Sequence, residues 1–268
     1  MKGRARVLAG LWLLAAAWLS AGEALARCAP ELVQGPRALP VSFAAGAKGR
    51  SVSIQFYGHS AFQVISPGGT RVFTDPFGPG LGLPIPQVKP HVITIGREHP
   101  HHNSAWTLQG APQILRGLGD EGMGWAEVRK TVGDVIIYNV PVTQRTFGAT
   151  TKGSAFVFEM GGLCIAHLGD VAEPFNPSQL RRLGKVHVAL VPVDGTFTVD
   201  PEGAREIVRQ LNPHIAIPMH YWDDAERLGR FTAGAQEVRR HGRGPLAVSR
   251  EDLPRPTTIV ILGHDPRE

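Results

Sequence analysis

Short runs of apolar and β-branched residues recur from residue 51 onward, and the later ones show no polar alternation. "HVITI" (91–95), "LCIAHL" (163–168), "VHVALVPV" (186–193), "HIAIPM" (214–219) and "TTIVILG" (257–263) each read as a strand buried on both faces. "SVSIQFYG" alternates, and "AFQVIS" and "RVFTD" flank a Gly68–Gly69 turn, so a hairpin is predicted there. "DVIIYNVPV" (134–142) and "GSAFVFEM" (153–160) complete the set. Helices are fewer. Asn176–Pro177 and Asp200–Pro201 are cap-and-first-turn pairs, and Ala204, Ile207, Val208 and Leu211 share one face after the second. A third helix is predicted over 231–241. Strands dominate early and strand–helix–strand units come late.

The first 26 residues stand apart. Lys2, Arg4 and Arg6 precede an apolar stretch from Val7 to Ala21, and Ala24-Leu25-Ala26 is a small-x-small cleavage site. A secretory signal peptide over 1–26 is therefore expected, with mature protein beginning at Arg27, exported to the periplasm or beyond. No other stretch is long and apolar enough to span a bilayer. Residues 27–50 are rich in Pro and Gly and read as a flexible leader; 51–268 reads as one domain. Losing three basic residues and one acidic residue with the signal takes the net charge from +5 to about +3. No basic run carries interleaved aromatics, so nucleic acid is not implied as a partner. Of the two cysteines, Cys164 lies in an apolar strand and Cys28 in the leader. Two free thiols are expected, with a disulfide as the alternative in an exported protein.

Several strand ends carry residues that bind metals. "HVITI" runs into "GREHPHH", which places His99, His101 and His102 on one tight loop. Asp170 follows "AHLG", His220 follows "IPM", and His59 follows "SIQFYG". A rigid strand followed by a turn is how imidazoles and carboxylates from distant segments converge on one ion, and no local cluster closes such a site alone. Trp106, Trp125 and Trp222 are candidates for a pocket lining or for core and rim.

In this order "GHSAF", "TDPF", "REHPHH", "AHLGD" and "IPMHY" resemble the metallo-β-lactamase superfamily, over about residues 52–222. The branch most similar is that of small metal-dependent hydrolases with the ascorbate-6-phosphate lactonase and the N-acylphosphatidylethanolamine phospholipase D relatives. The resemblance implies a four-layer αββα sandwich with metal at one edge. It also implies a His-x-His-x-Asp-His motif, from which this chain departs. Arg97 stands in the first place, His99 in the second, His101 in place of the aspartate, and His102 in the last. Asp170 matches the bridging aspartate, His220 the final histidine, and Asp75 a structural aspartate. The mid-chain histidine is missing, and Gln144 or a neighbour takes its place.

Counting ligands under that resemblance leaves the first metal position unfilled. Arginine has no lone pair to offer and does not deprotonate in proteins. The implied site is one zinc ion held by His101, His102, Asp170 and His220, with His99 nearby as a further ligand or proton shuttle. The ion would activate water, Asp170 would orient it, and Arg97 would pair with Asp170 or stabilise a developing oxyanion. His59 and His167 would stand behind the ligands or simply bond to loops. The implied activity is hydrolysis of a small-molecule ester, lactone or phosphodiester, and the mild positive charge is compatible with an anionic one. The alternative is a silent protein that uses Arg97 to hold an anion.

Overall fold

A computed structural model describes residues 28–29, 51–222 and 224–263. The expected signal peptide and most of the expected leader lie outside the described residues. In chain order the strands are β1 (Val52–Phe56), β2 (Phe62–Ile65), β3 (Arg71–Thr74), β4 (Val92–Ile95), β5 (Gln113–Arg116), the short pair β6 (Leu118–Gly119) and β7 (Gly124–Trp125), and β8 (Arg129–Val132). They continue with β9 (Val135–Thr146), β10 (Ala149–Met160), β11 (Leu163–His167), β12 (Val188–Pro192), β13 (Ile215–Met219), β14 (Glu237–His241), β15 (Leu246–Val248) and β16 (Thr258–Leu262). The helices are α1 (Pro177–Leu183), α2 (Pro201–Leu211) and α3 (Ala225–Thr232).

Two sheets result. One runs β15-β1-β2-β3-β4-β5 and the other β14-β16-β13-β12-β11-β10-β9-β8. Both are mixed: β3, β4 and β5 are parallel, as are β11, β12, β13, β16 and β14, while the hairpin strands are antiparallel. Their facing surfaces form one apolar core that includes Ile54, Phe62, Val72, Val92, Phe156, Phe158, Ile165 and Leu190. Period-two alternation sends the neighbours the other way. Phe73, Ile93 and Ile95 pack in a second cluster with Phe77, Leu108, Leu81, Leu83 and Ile85, so a Pro- and Gly-rich loop covers the outer face of the first sheet. Helices cover the second sheet: α1 lies against β9 and α2 against β12, and Ala204 and Ile207 of α2 are buried. This is the α/β sandwich class expected, with helices against the second sheet and a loop over the first.

The caps behave as the sequence predicts. Asn176 accepts from the Gln179 amide and Gln179 reaches back to the Asn176 amide, closing a capping box on α1. Asp200 accepts from the Gly203 amide at the start of α2.

Two expectations fail. The helix predicted over 231–241 is instead the end of α3 and the strand β14. Asp224 caps α3 early, Gly234 sits in a left-handed turn, and Glu237–His241 then pairs in parallel with β16. That partner comes from a distant segment, so local periodicity gave the wrong answer. The cysteines are not free thiols: Cys28 and Cys164 form a disulfide with Cα atoms 5.6 Å apart. Cys28 and Ala29 are buried there. The Cys28 amide donates to Glu159 Oε2 and its carbonyl accepts from the Lys185 amide at 2.7 Å. A leader pinned in this way presents its sulfur to β11 rather than to solvent.

Candidate metal centre

The chemistry-bearing residues gather at one edge of the sandwich, where parallel strands of both sheets end. Asp75 follows β3, Arg97 to His102 follow β4, Asp170 follows β11, Asp194 follows β12 and His220 follows β13. The two sheets meet there through a backbone hydrogen bond of 2.9 Å from the His220 amide to the His59 carbonyl. The turns are tight. His59, Asp75, His220 and Trp222 have φ of 54°, 39°, 59° and 52°, a left-handed conformation uncommon for residues other than glycine. Glycines precede two of the key residues. A side chain at Gly96 would collide with the Ser154 carbonyl, and Gly169, at φ 58°, approaches that same carbonyl. Both loops therefore press against one point of β10.

His59, His102 and His220 converge. One ring nitrogen from each lies within 4.8 Å of the other two, and all three residues are buried. The Nε2 atoms of His59 and His102 are 3.2 Å apart. Each of two imidazoles is backed by a carboxylate. His102 Nδ1 lies 3.2 Å from Asp75 Oδ2, and His220 Nδ1 lies 2.5 Å from Asp194 Oδ2. Asp75 is itself fixed by the Gly96 amide, which donates to its Oδ1 at 2.8 Å. A carboxylate at Nδ1 keeps the proton there and leaves the Nε2 lone pair facing inward, the arrangement of a metal-ligating histidine.

Asp170 stands beside the three rings. Its Oδ2 is 3.1 Å from His102 Nε2, and its Oδ1 is 3.7 Å from His220 Nε2 with no hydrogen-bond partner. Arg97 holds the carboxylate from the far side, with Nη1 2.5 Å from Oδ2. Its Nη2 donates to the Arg145 carbonyl at 3.1 Å and the Thr146 hydroxyl at 3.2 Å. The segment where the resemblance requires a histidine thus supplies a carbonyl and a hydroxyl to Arg97. Its guanidinium is committed inside the protein and lies 6.0 Å from the Phe197 ring centroid.

The electrostatics follow from this packing. Burial pushes the Asp170 carboxyl up, but the charges of His102 and His220 and the Arg97 guanidinium outweigh it and hold the group well below the usual carboxylate range. Burial pushes His102 down, and the Asp170 and Asp75 carboxylates reverse this, raising it to about 9 in the absence of a cation. His59 goes the other way: burial, then the neighbouring His220 and His102, lower it well below its ordinary value.

The other predicted residues fall outside the converging group. His99 and His101 are half-buried at the rim, with ring centroids 4.7 Å apart, and the His101 amide donates to His99 Nδ1. His99 is lowered to about 4, first by burial and then by His101 and Arg97. His101 was expected as a ligand and is not among the three, because the turn after Pro100 sends its ring alongside His99 while His102 enters the cleft. His59 was expected behind the ligands and is one of the three. His167 Nε2 donates to the Ser60 carbonyl at 2.8 Å, and its ring packs against Phe62, behind the site. Gln144 is buried next to Gly153. Asp194, buried behind His220, was not singled out in the sequence; its only signal there is its place just after an apolar strand.

Trp222 is about half exposed, with its ring 4.8 Å from that of His59, and is placed at the rim. Trp106 and Trp125 are exposed too. A cavity of about 450 Å³ opens beside the histidine loop, lined by Glu98, Asn103, Arg116, Asp120 and Glu121 among others, and none of the imidazoles faces it.

The donor set suits a divalent cation. Three imidazoles that crowd their lone pairs together, with an unpartnered carboxylate oxygen alongside, form a nitrogen–oxygen set of the kind zinc prefers.

Comparison with known proteins agrees. A family profile described as "Beta-lactamase superfamily domain" matches residues 53–220. A metal-dependent hydrolase of Anaeromyxobacter dehalogenans is 28% identical over 213 residues, covering 65% of this chain and 76% of that one. One from Thermoplasma acidophilum is 28% identical over 192 residues, covering 64% and 84%. Among solved structures, a proposed Zn-dependent hydrolase of the metallo-β-lactamase superfamily from Thermotoga maritima superposes with a TM-score of 0.62 at 28% identity, covering 79% of this chain and 98% of that one. A metallo hydrolase from Ignicoccus hospitalis, at 20% identity and TM-score 0.55, shares the fold.

Proposed function

The chain belongs to the β-lactamase superfamily, and on that premise we propose that it is an exported hydrolase dependent on one divalent cation, zinc, held by His59, His102 and His220. The observation that carries this reading is the convergence of those three ring nitrogens with Asp75 and Asp194 behind two of them. The relatives' description as metal-dependent hydrolases supports it. The disulfide between Cys28 and Cys164 supports export, since such bonds persist in oxidising compartments.

A bound zinc ion would act as a Lewis acid and make water a stronger nucleophile at neutral pH. The protein's own part is orientation. Asp170, held ionised by His102, His220 and Arg97, acts as a fixed anion whose Oδ1 accepts a hydrogen bond from the attacking water. Arg97 keeps Asp170 aimed, adds to the charges of His102 and His220 that hold it ionised, and supplies positive charge where no second cation would have a full ligand set. The substrate class is a small-molecule ester, lactone or phosphodiester.

The silent anion-binding alternative is the weaker reading, because it needs a free Arg97 and this guanidinium is spent on Asp170, Arg145 and Thr146. The acidic lining of the neighbouring cavity gives no support to an anionic substrate. A panel of aryl esters, lactones and phosphodiesters assayed with purified protein tests the proposal. Hydrolysis abolished by a chelator and restored by zinc supports it; turnover unaffected by complete metal removal sinks it.

A further inference from the structure

Asp194 lies in a loop between β12 and α2, and its two carboxylate oxygens have separate duties. Oδ1 is cradled by backbone amides: Thr196 donates to it, as do Phe197 at 2.9 Å and Thr198 at 3.4 Å. Oδ2 lies 2.5 Å from His220 Nδ1 and makes no hydrogen bond to any other described group. The side chain is fully buried.

We propose that Asp194 is a positioning residue that decides which nitrogen of His220 carries the proton, and thereby whether Nε2 can hold a cation. The inference rests on the proposed metal site. A carboxylate only accepts hydrogen bonds, so opposite Oδ2 the proton of neutral His220 belongs on Nδ1. Nε2 then presents its lone pair on the side where Asp170, His59 and His102 stand. The amide cradle makes this control rigid, because it fixes which atom of residue 194 can face the ring.

Asparagine at this position would reverse the instruction. Its NH₂ group cannot accept from three backbone amides, so the carbonyl oxygen must occupy the cradle. The NH₂ group then faces His220 Nδ1 and donates to it. His220 is driven to the Nε2–H tautomer, which has no lone pair left for a cation. Alanine leaves the cradle unsatisfied but lets His220 choose its tautomer. The two substitutions should therefore rank in opposite order for folding and for metal. A residue that served only to hold the loop would give one order for both.

The test uses full-length wild-type protein, Asp194→Asn and Asp194→Ala, stripped of metal. Zinc affinity is measured by competition with a chromophoric chelator, and stability of the metal-free forms by thermal unfolding. Loss of the carboxylate behind a ligand typically weakens metal affinity by about 10–100-fold. Asp194→Asn is expected at or beyond the upper end of that range, with Asp194→Ala between it and wild type. Melting temperatures are expected to fall in the order wild type, Asp194→Asn, Asp194→Ala. Zinc binding by Asp194→Asn as tight as by Asp194→Ala, or tighter, overturns the inference while leaving the metal site standing. Wild-type protein that takes up no zinc overturns the proposed function and this inference together. Nitrogen-15 NMR of the wild-type imidazoles gives a readout that needs no variant: a proton on Nδ1 of His220 is expected, and one on Nε2 contradicts the inference.

Discussion

Arg97 and Asp170 form a buried ion pair in which the guanidinium Nη1 lies 2.5 Å from Oδ2, and the same oxygen is 3.1 Å from His102 Nε2. A cation that cannot be lost therefore sits next to the place proposed for one that can. This combination suggests why the chain retains Asp170 while lacking part of the ligand pattern that its resemblance implies.

Removing Arg97 should be costly. Arg97→Met removes the permanent cation from a buried carboxylate and leaves it only His102 at 3.1 Å and His220 at 3.7 Å, and breaking such a buried pair from one side costs about 3–5 kcal/mol. Urea denaturation of the metal-free protein should show a loss of that order. A change below about 1 kcal/mol would mean that the pair is no more than a surface-like contact.

The protonation of His102 sets a pH dependence. Its value in the fold, about 9, lies above the ordinary 6.5. The stabilisation it gives the metal-free chain is therefore fully present below about pH 6.5 and is lost as pH rises through about 9. Zinc must displace the same proton, so its apparent affinity should rise with pH up to about 9, by about tenfold per unit for a single displaced proton. Melting curves and zinc titrations from pH 6 to 10 check both signs. Affinity that falls as pH rises through this window contradicts the assignment of His102 as a ligand.

The disulfide closes a loop with a sequence separation of 136 residues. Reduction, or Cys28→Ser, should destabilise the protein by about 2–5 kcal/mol. The intact mass under non-reducing conditions should be two hydrogens below that of the dithiol. Periplasmic protein sequenced from its N-terminus should begin at Arg27; intact Met1 there would contradict cleavage of the expected signal.

Much of this architecture was legible because strands buried on both faces leave unbroken apolar runs. "VHVALVPV" and "HIAIPM" could hardly be anything else, and the residues just beyond them lie at one edge of the sandwich. The division of labour among those residues was less legible. His101 and His102 are neighbours in sequence, yet only the turn after Pro100 decides which enters the cleft. His59 depends on a left-handed turn and on a backbone bond to His220, both set by tertiary packing. β14 was misread because its partner β16 follows it at a distance and local periodicity carries no trace of pairing. Cys28 looked loose for the same reason: its anchors, Glu159 and Lys185, are remote in sequence.

The central claim is that His59, and not His101, completes the three-imidazole site. Elemental analysis of purified protein tests it most directly. The account predicts one zinc per chain in the wild type, retained by His101→Ala and lost by His59→Ala, His102→Ala and His220→Ala. Zinc retained by His59→Ala but lost by His101→Ala would contradict it.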